Sequence, residues 1–448
     1  MISAFANSFK IPELRKRILF TLGLLFIGRI ISTVPAPGVD ARELQRLIAE
    51  IESQVGGGFL GLIDMFSGGA LSNVAVGALS IWPYISASII LQLMTAIVPA
   101  LERMKREGES GMQKLNQWTR YLTLIICVIQ GLFLAISLEN PQQLGLPGRI
   151  VLNPGMGFRM MTVLTLTTGT MLTMWLGEQI TERGIGNGIS LIITINICSR
   201  LPAAIFEMVN MFQRIEGVAQ FNMFHLAGLL IMIFLVTAGT IALTQGLRKI
   251  PIHTAKRVVG RKVFGGQNTY MPLRVNYAGV MPIIFAGAML AFPAAILRRF
   301  EMTQWLGDQL AMDRPLYMVV YGVMILFFSY FWVATQFNPL QIADDLKRNG
   351  GYVPGIRPGR ATADYLDRTM TRITLIGALA LTVIAVIPSV LHVYFRIPWL
   401  ISSFMGGTSL LIIVGVSLDT MRQMESHLLM RHYDGFLKKG RIRSRASR

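Results

Sequence analysis

The chain has 448 residues, of which 52% are hydrophobic and only 15% charged, and it carries a net charge of +18. Soluble domains hold about 25% charged residues, so this composition excludes an ordinary water-soluble protein and points to lipid-facing surface. Two cysteines, Cys127 and Cys198, both in apolar stretches, leave no disulfide framework and no cysteine-based metal site.

Basic residues alternate with apolar runs along the chain. Segments 1–17, 99–120, 178–187, 245–277, 338–372 and 421–448 hold 31 of the 42 Lys and Arg but half of the 24 Asp and Glu. Cytoplasmic loops retain Lys and Arg because these resist translocation. These segments, and with them both termini, are therefore expected in the cytoplasm, which makes the number of crossings even.

Taken in order, the start MISAFANSFKIPELRKR leads into an apolar run from Ile18 to Val34 with no small-residue cleavage pattern. It is expected to be a retained first helix rather than a signal peptide. Arg29 is a charge in the middle of that run. Such a charge costs about 2.5–3.5 kcal/mol on an insertion scale, so Arg29 is expected to face protein or water. Further runs able to cross about 30 Å of hydrocarbon lie near 76–98, 120–138, 156–177, 188–207, 224–244, 278–297, 316–337, 372–392 and 400–420, ten in all with the first near 18–35.

Between the first two runs lies GGGFLGLIDMFSGGALSNVAVGALS, apolar but broken by glycines and carrying Asp64 and Asn73. Lipid does not tolerate exposed broken backbone, so the segment must be buried in protein or line a water-filled cavity. A half-helix over about 59–72 that dips in from outside fits better than an amphipathic helix on the outer surface. In the fourth run, Thr162, Thr165, Thr167, Thr168, Thr170 and Thr173 are expected to bond back to their own helix rather than line a polar pore. GIGNG at 184–188 looks like a phosphate cradle but follows a helix, so phosphate binding is not expected there.

The loops 245–277 and 338–371 are long, basic and rich in turn residues. Gly350-Gly351, Pro354-Gly355 and Pro358-Gly359 mark tight turns that place Arg357 at a tip, where a guanidinium can bind a carboxylate or phosphate partner. Loops this long are functional more often than connective. The tail KKGRIRSRASR suits lipid headgroups or RNA phosphates. No phosphate-loop, zinc-protease or nucleophile-elbow motif occurs, and no carboxylate pair lies mid-run. An intramembrane enzyme is therefore disfavoured. A proton-coupled transporter, which usually carries intramembrane carboxylates, is weakened.

Several long motifs carry a resemblance. YISASIILQLM at 84–94, after IWP, and WLGEQITERGIGNGISLII at 175–193 resemble the two hallmark segments of the SecY/Sec61 alpha protein-translocation channel family. NYAGVMPIIFA, GYVPGIRPG and GGTSLLI are similar to later segments of that family, so the likeness runs along essentially the whole chain. It implies an all-α polytopic membrane protein with ten transmembrane helices in two inverted five-helix halves. The halves are 1–210 and 211–420, followed by a basic tail, 421–448. It further implies a re-entrant plug containing Leu60, Gly61, Asp64, Met65, Phe66, Gly69 and Leu71. A hydrophobic pore ring is implied at Ile81, Ile85, Ile189, Ile193, Ile284 and Ile412. By periodicity alone these isoleucines are indistinguishable from ordinary helix packing. Trp82, where the family's motif commonly has a smaller residue, departs from the pattern beside the ring.

Polar lateral-gate candidates are Ser86, Ser88, Gln92 and Gln130. Arg357, Arg360, Arg248, Lys249, Lys256, Arg257, Arg261 and Lys262 are the expected docking residues for a ribosome or a SecA-like motor ATPase. The implied function is conduction of unfolded polypeptide outward and release of apolar segments into lipid, with no catalysis, cofactor or metal. The implied setting is the bacterial inner membrane, with SecE-like and SecG-like small subunits, nascent polypeptide and anionic lipid as partners. The alternative is an inverted-repeat secondary transporter with a broken helix at its substrate site.

Overall fold

The computed structural model describes residues 11–39, 64–139, 151, 153–212, 223–254, 257–259, 262–264, 268–297, 302–310 and 314–439. Leu60, Gly61, Lys256 and Arg261 lie outside them. The chain divides into two compact units, one containing Leu60–Pro202 and Gly415–Arg448 with the N-terminal residues, the other Ala203–Val414.

In the first unit, α1 (Pro12–Ile31) begins with proline in its first turn, where the missing N–H costs nothing. After the glycine-rich segment come α2 (Trp82–Ile97), α3 (Pro99–Arg106), α4 (Glu109–Glu139), α5 (Met156–Arg183) and α6 (Gly188–Met211), which runs on past the unit boundary. The expected second run starts at 76, but the helix starts at Trp82, with Pro83 in its first turn. It ends at Val98, because Pro99 disfavours helical backbone in the residue before it. The pair bends by more than 40° there. Helices α4 and α5 pack along each other, and α2 and α1 lie against α4 and α5 respectively.

In the second unit, α7 (Met223–Gln245) leads into strands β1 (Leu247–Thr254), β2 (Arg257–Val259), β3 (Lys262–Phe264) and β4 (Asn268–Arg274). Then follow α8 (Met281–Leu297), α9 (Gln304–Gln309), α10 (Pro315–Gln336), α11 (Pro339–Arg348), β5 (Gly351–Tyr352), α12 (Arg360–Phe395), α13 (Trp399–Phe404) and α14 (Gly407–Lys439), which also crosses the boundary. Helix α10 packs on α8 and α12. Phe285 stacks on Phe328 at 5.3 Å and lies 5.7 Å from Trp332. The strands correct the reading of 245–277 as plain loop. β1 alternates exposed and buried residues, with Ile250 and Ile252 inward, and pairs antiparallel with β4 from Leu247↔Arg274 to His253↔Asn268.

Each of the ten apolar runs overlaps at least one helix, the last being divided between α13 and α14. Six helical stretches among the described residues are long and apolar enough to cross a membrane, or seven if the bent α2–α3 pair counts as one. Outside that count, α8 has only 17 residues, α5 is diluted by threonines, and α1 carries Arg15, Lys16, Arg17 and Arg29. The spans that pass are poorly covered by protein: the windows of α6 and of Phe224–Gln245 are each 22% buried. Phe133, Leu164 and Phe234 are each at least 70% exposed. Water would not tolerate that much bare hydrocarbon, and a bilayer requires it. Of the six threonines, Thr165, Thr168 and Thr173 donate to the carbonyls of Met161, Leu164 and Gly169 at 2.7 Å as expected, whereas the buried hydroxyls of Thr162, Thr167 and Thr170 do not bond back to the helix.

Candidate functional site

The glycine-rich segment between α1 and α2 is the centre of the first unit. Its described part opens with helix over 64–67, so the half-helix expected over 59–72 stops at Ser67, and 59–63 lie outside the described residues. Gly68 and Gly69 end the turn with φ of +67° and +88°, a backbone region that L side chains avoid. At Gly68 a Cβ would also collide with the Arg29 guanidinium and come within 3.0 Å of the Asn196 backbone.

Every residue from Asp64 to Ala70 is buried. Polar contacts fix the segment. Asp64 forms an ion pair with Arg200 of α6, and its Oδ1 accepts from the Ser72 backbone N–H at 2.7 Å. Arg200 also donates to Ser72 Oγ at 3.1 Å. Arg29 of α1 donates to the Gly68 carbonyl at 3.4 Å and to Asn196 Oδ1 at 3.2 Å. Asn196 Nδ2 donates to the Phe66 carbonyl at 3.1 Å and to Ser80 Oγ at 3.2 Å, and Ser199 Oγ reaches the Gly68 carbonyl at 3.4 Å. Arg29 thus faces protein, as its cost in hydrocarbon demands. Apolar burial adds to this: Met65, Phe66 and Ala70 are buried, and Phe66 stacks on Trp82 at 5.8 Å. Past the turn, Ala36 N–H donates to the Val74 carbonyl and Val76 N–H to the Val34 carbonyl, both at 2.8 Å, tying the exit of the segment to the chain after α1.

Beside it, Ile81 is buried in a cluster with Leu25, Ile31, Leu176, Ile180 and Ile192, and Ile85 and Ile189 pack on that cluster. Ile193, half-buried, follows Ile189 by one turn on the same face of α6. Ile284 and Ile412 belong to the second unit, where both are buried. Of the lateral-gate candidates, Ser86 bonds back to the Trp82 carbonyl at 3.1 Å. Ser88 is half-buried and Gln92 exposed, while Gln130 Oε1 is buried without a hydrogen-bond partner among the described residues.

The WLGEQITERGIGNG motif is a structural clasp. Arg120 of α4 holds both carboxylate oxygens of Glu178 at 2.9 Å. In the GIGNG turn, the N–H groups of Ile185, Gly186 and Gly188 donate to Thr21 Oγ1, Gln423 Oε1 and Thr181 Oγ1. Those amides are spent within the protein, which is why the turn is no phosphate cradle.

In the second unit the two long basic loops form one surface. β5 pairs with β1 through His253↔Tyr352 and Thr254↔Gly351, giving the sheet order β4-β1-β5. Arg248 and Lys249 on β1 are exposed. Arg357 is exposed between turns at Gly355 (φ +80°) and Gly359 (φ +102°), its carbonyl accepting from Thr362 Oγ1 at 2.9 Å, and Arg360 is exposed at the start of α12. The backbone of Arg257 pairs with Phe264 and that of Lys262 with Val259 in the β2–β3 hairpin.

Sequence reasoning missed Asn196, Ser199 and Arg200. A usable signal was present: at i, i+3 and i+4 they form one polar stripe on an apolar helix, opposite the lone acid Asp64.

The fold and this site define a class: a polytopic membrane protein with a buried, broken segment between its first two helices, clamped by charges beside an apolar cluster. The family model for SecY matches residues 75–421. A protein translocase subunit SecY from Streptomyces griseus is 44% identical over 98% of this chain and 100% of its own length. The chain therefore belongs to the SecY family. Two solved structures share its fold. One, with a TM-score of 0.60 and 17% identity over 92% of both chains, is of a SecY protein whose plug domain stabilises the closed state of the translocation channel and maintains a membrane seal. The other, with a TM-score of 0.56 and 15% identity over 92% of both chains, is Sec61 in a canine ribosome–channel complex.

Proposed function

We propose that this chain is the pore subunit of a protein-conducting channel, passing unfolded polypeptide across the bacterial inner membrane and releasing apolar segments into lipid. Both termini are cytoplasmic, the charge distribution being the support for that orientation. The observation that carries the reading is the buried broken segment at 64–70: it ends an otherwise helical wall with backbone held by side chains, beside a cluster containing Ile81, Ile85 and Ile189. We assign Asp64, Met65, Phe66, Gly69 and Leu71, with Leu60 and Gly61 ahead of them, to the plug. Ile81, Ile85, Ile189, Ile193, Ile284 and Ile412 form the apolar constriction. A narrow apolar ring excludes water and ions by dewetting and imposes no preference on the sequence that passes. The lateral gate takes Ser86, Ser88, Gln92 and Gln130.

The chain belongs to a family of channel subunits rather than enzymes, so an external motor must supply the force. A ribosome or a SecA-like ATPase docks on the basic sheet through Arg357, Arg360, Arg248 and Lys249, together with Lys256, Arg257, Arg261 and Lys262. SecE-like and SecG-like subunits complete the complex, and the basic tail contacts anionic lipid. We assign the two five-helix halves of a ten-span channel to 1–210 and 211–420, with 421–448 as the tail.

The test is reconstitution. Vesicles holding the purified complex and a SecA-like motor should take up an unfolded precursor on addition of ATP and protect it from protease. Solute-driven ion flux without any precursor uptake would instead establish a transporter.

A further inference from the structure

Besides the burial of Met65, Phe66 and Ala70, the plug segment is held by exchangeable polar contacts, and most of them come from one helix face. A helical turn that stops at Ser67 leaves carbonyls without intrahelical donors. Here the Phe66 carbonyl takes Asn196 Nδ2 at 3.1 Å, and the Gly68 carbonyl takes Arg29 and Ser199, each at 3.4 Å. At the front of the turn, the Asp64 side chain is 7% exposed and the Arg200 side chain 22% exposed. Arg200 bridges Asp64 and Ser72, while Asp64 accepts the Ser72 N–H, so the three close a ring across the Gly68-Gly69 turn. A segment stapled by aliphatic packing would give up its contacts gradually. A segment whose place depends on a few charge-assisted bonds is either held or released.

We infer that the Asp64–Arg200 ion pair, backed by Arg29 and Asn196 on the turn's carbonyls, is a latch that sets how often the plug leaves the idle channel. The inference rests on the plug reading of 64–71. Arg200 acts here as a positioning residue and need not touch the passing polypeptide. Water or a polar stretch of an entering chain can replace Ser72 and the Gly68 carbonyl as partners, so opening leaves neither Arg29 nor Arg200 without hydrogen bonds. Removing one charge of the pair leaves the other poorly compensated only while the plug is seated, which shifts the balance toward release.

The experiment uses membrane vesicles holding the full complex, with Cys127→Ala and Cys198→Ala, and Phe66→Cys as the probe. The loss of the Phe66–Trp82 stack is then common to every comparison. Labelling of the idle channel by a membrane-impermeant maleimide on the outer side measures release. Asp64→Asn and Arg200→Gln should each raise the labelling rate about tenfold, and the double variant should label no faster than either single, since it leaves no charge unpaired. Arg200→Lys, which keeps the charge, should stay within about threefold of the parent. Protein levels report folding separately, and the near-isosteric Asp64→Asn keeps the test open should Arg200→Gln fail to accumulate. Parent-like labelling in both single variants, with Phe66→Cys still reacting during translocation, would overturn the latch and leave the plug intact. Additive single effects would also overturn it. A Phe66 cysteine that reacts equally in idle and translocating vesicles would remove the plug reading, and the latch with it.

Discussion

Two polar regions do opposite work in this molecule. The clamp on residues 64–72 buries its polar groups: Asp64, Asn196 and Ser80 lie within the protein, and each is satisfied by a named partner. The sheet surface of the second unit keeps Arg248, Lys249, Arg357 and Arg360 in solvent on a scaffold whose own core is apolar, with Ile250, Leu273 and Val353 inside. Buried polar groups have few alternatives to their partners, so they specify a conformation. Exposed cations cost little to hold and remain available, so they specify a partner. Substitutions in the first region should therefore change the channel's resting state. Substitutions in the second should change coupling to the proposed docking partner and leave the resting channel alone.

The largest separation of the two is expected at Arg357. Charge reversal on a rim costs little in folding, since surface changes usually stay within about 0.5 kcal/mol. Against an acidic partner it juxtaposes like charges and costs several kcal/mol. Arg357→Glu should leave membrane levels normal and lower ATP-driven precursor uptake by more than about tenfold. Arg360→Glu should do less, and normal uptake in both would reduce the loop to a topology signal.

At the constriction, Ile85→Ser with Ile193→Ser should wet the ring. Resting conductance in planar bilayers should rise several-fold with little loss of precursor uptake, the reverse of the Arg357 pattern. Conductance equal to the parent's at normal expression would remove these isoleucines from the ring.

Gly68→Ala tests the clamp through backbone rather than charge. The added methyl forces φ of +67° on an L side chain, about 1–2 kcal/mol, and meets Arg29. Idle labelling at a Phe66 cysteine should increase, and unchanged labelling would mean that this turn is not held by Arg29. The smallest effect belongs to the exposed Arg120–Glu178 pair. Arg120→Gln should cost about 0–1 kcal/mol, as surface pairs do, read as a small drop in the thermal midpoint of the detergent-solubilised complex.

The spanning helices were legible because apolar length is a sufficient signal for them. Their ends were set by proline, as at Pro83 and Pro99, which apolar counting does not weigh. The β1–β4 sheet was hidden by a proline inside each strand, Pro251 and Pro272, although Ile250 and Ile252 alternate with exposed neighbours. The buried broken segment was visible from its glycines, but its helix was drawn past Ser67 because Gly68 and Gly69 were read as packing residues rather than as a turn. Arg29 stood out as a cost without a partner. Its partners, Asn196 and the Gly68 carbonyl, are joined to it only by the fold.

The central claim is that polypeptide passes through the isoleucine ring, and contact with a stalled precursor tests it most directly. A photoreactive residue replacing Ile85, Ile193, Ile284 or Ile412 in turn should crosslink to a precursor arrested midway through ATP-driven uptake. The same probe at Phe234, 72% exposed on a helix surface, should not. Crosslinks at Phe234 as strong as those at the four isoleucines, or none at the isoleucines while the precursor is demonstrably arrested, would contradict the account.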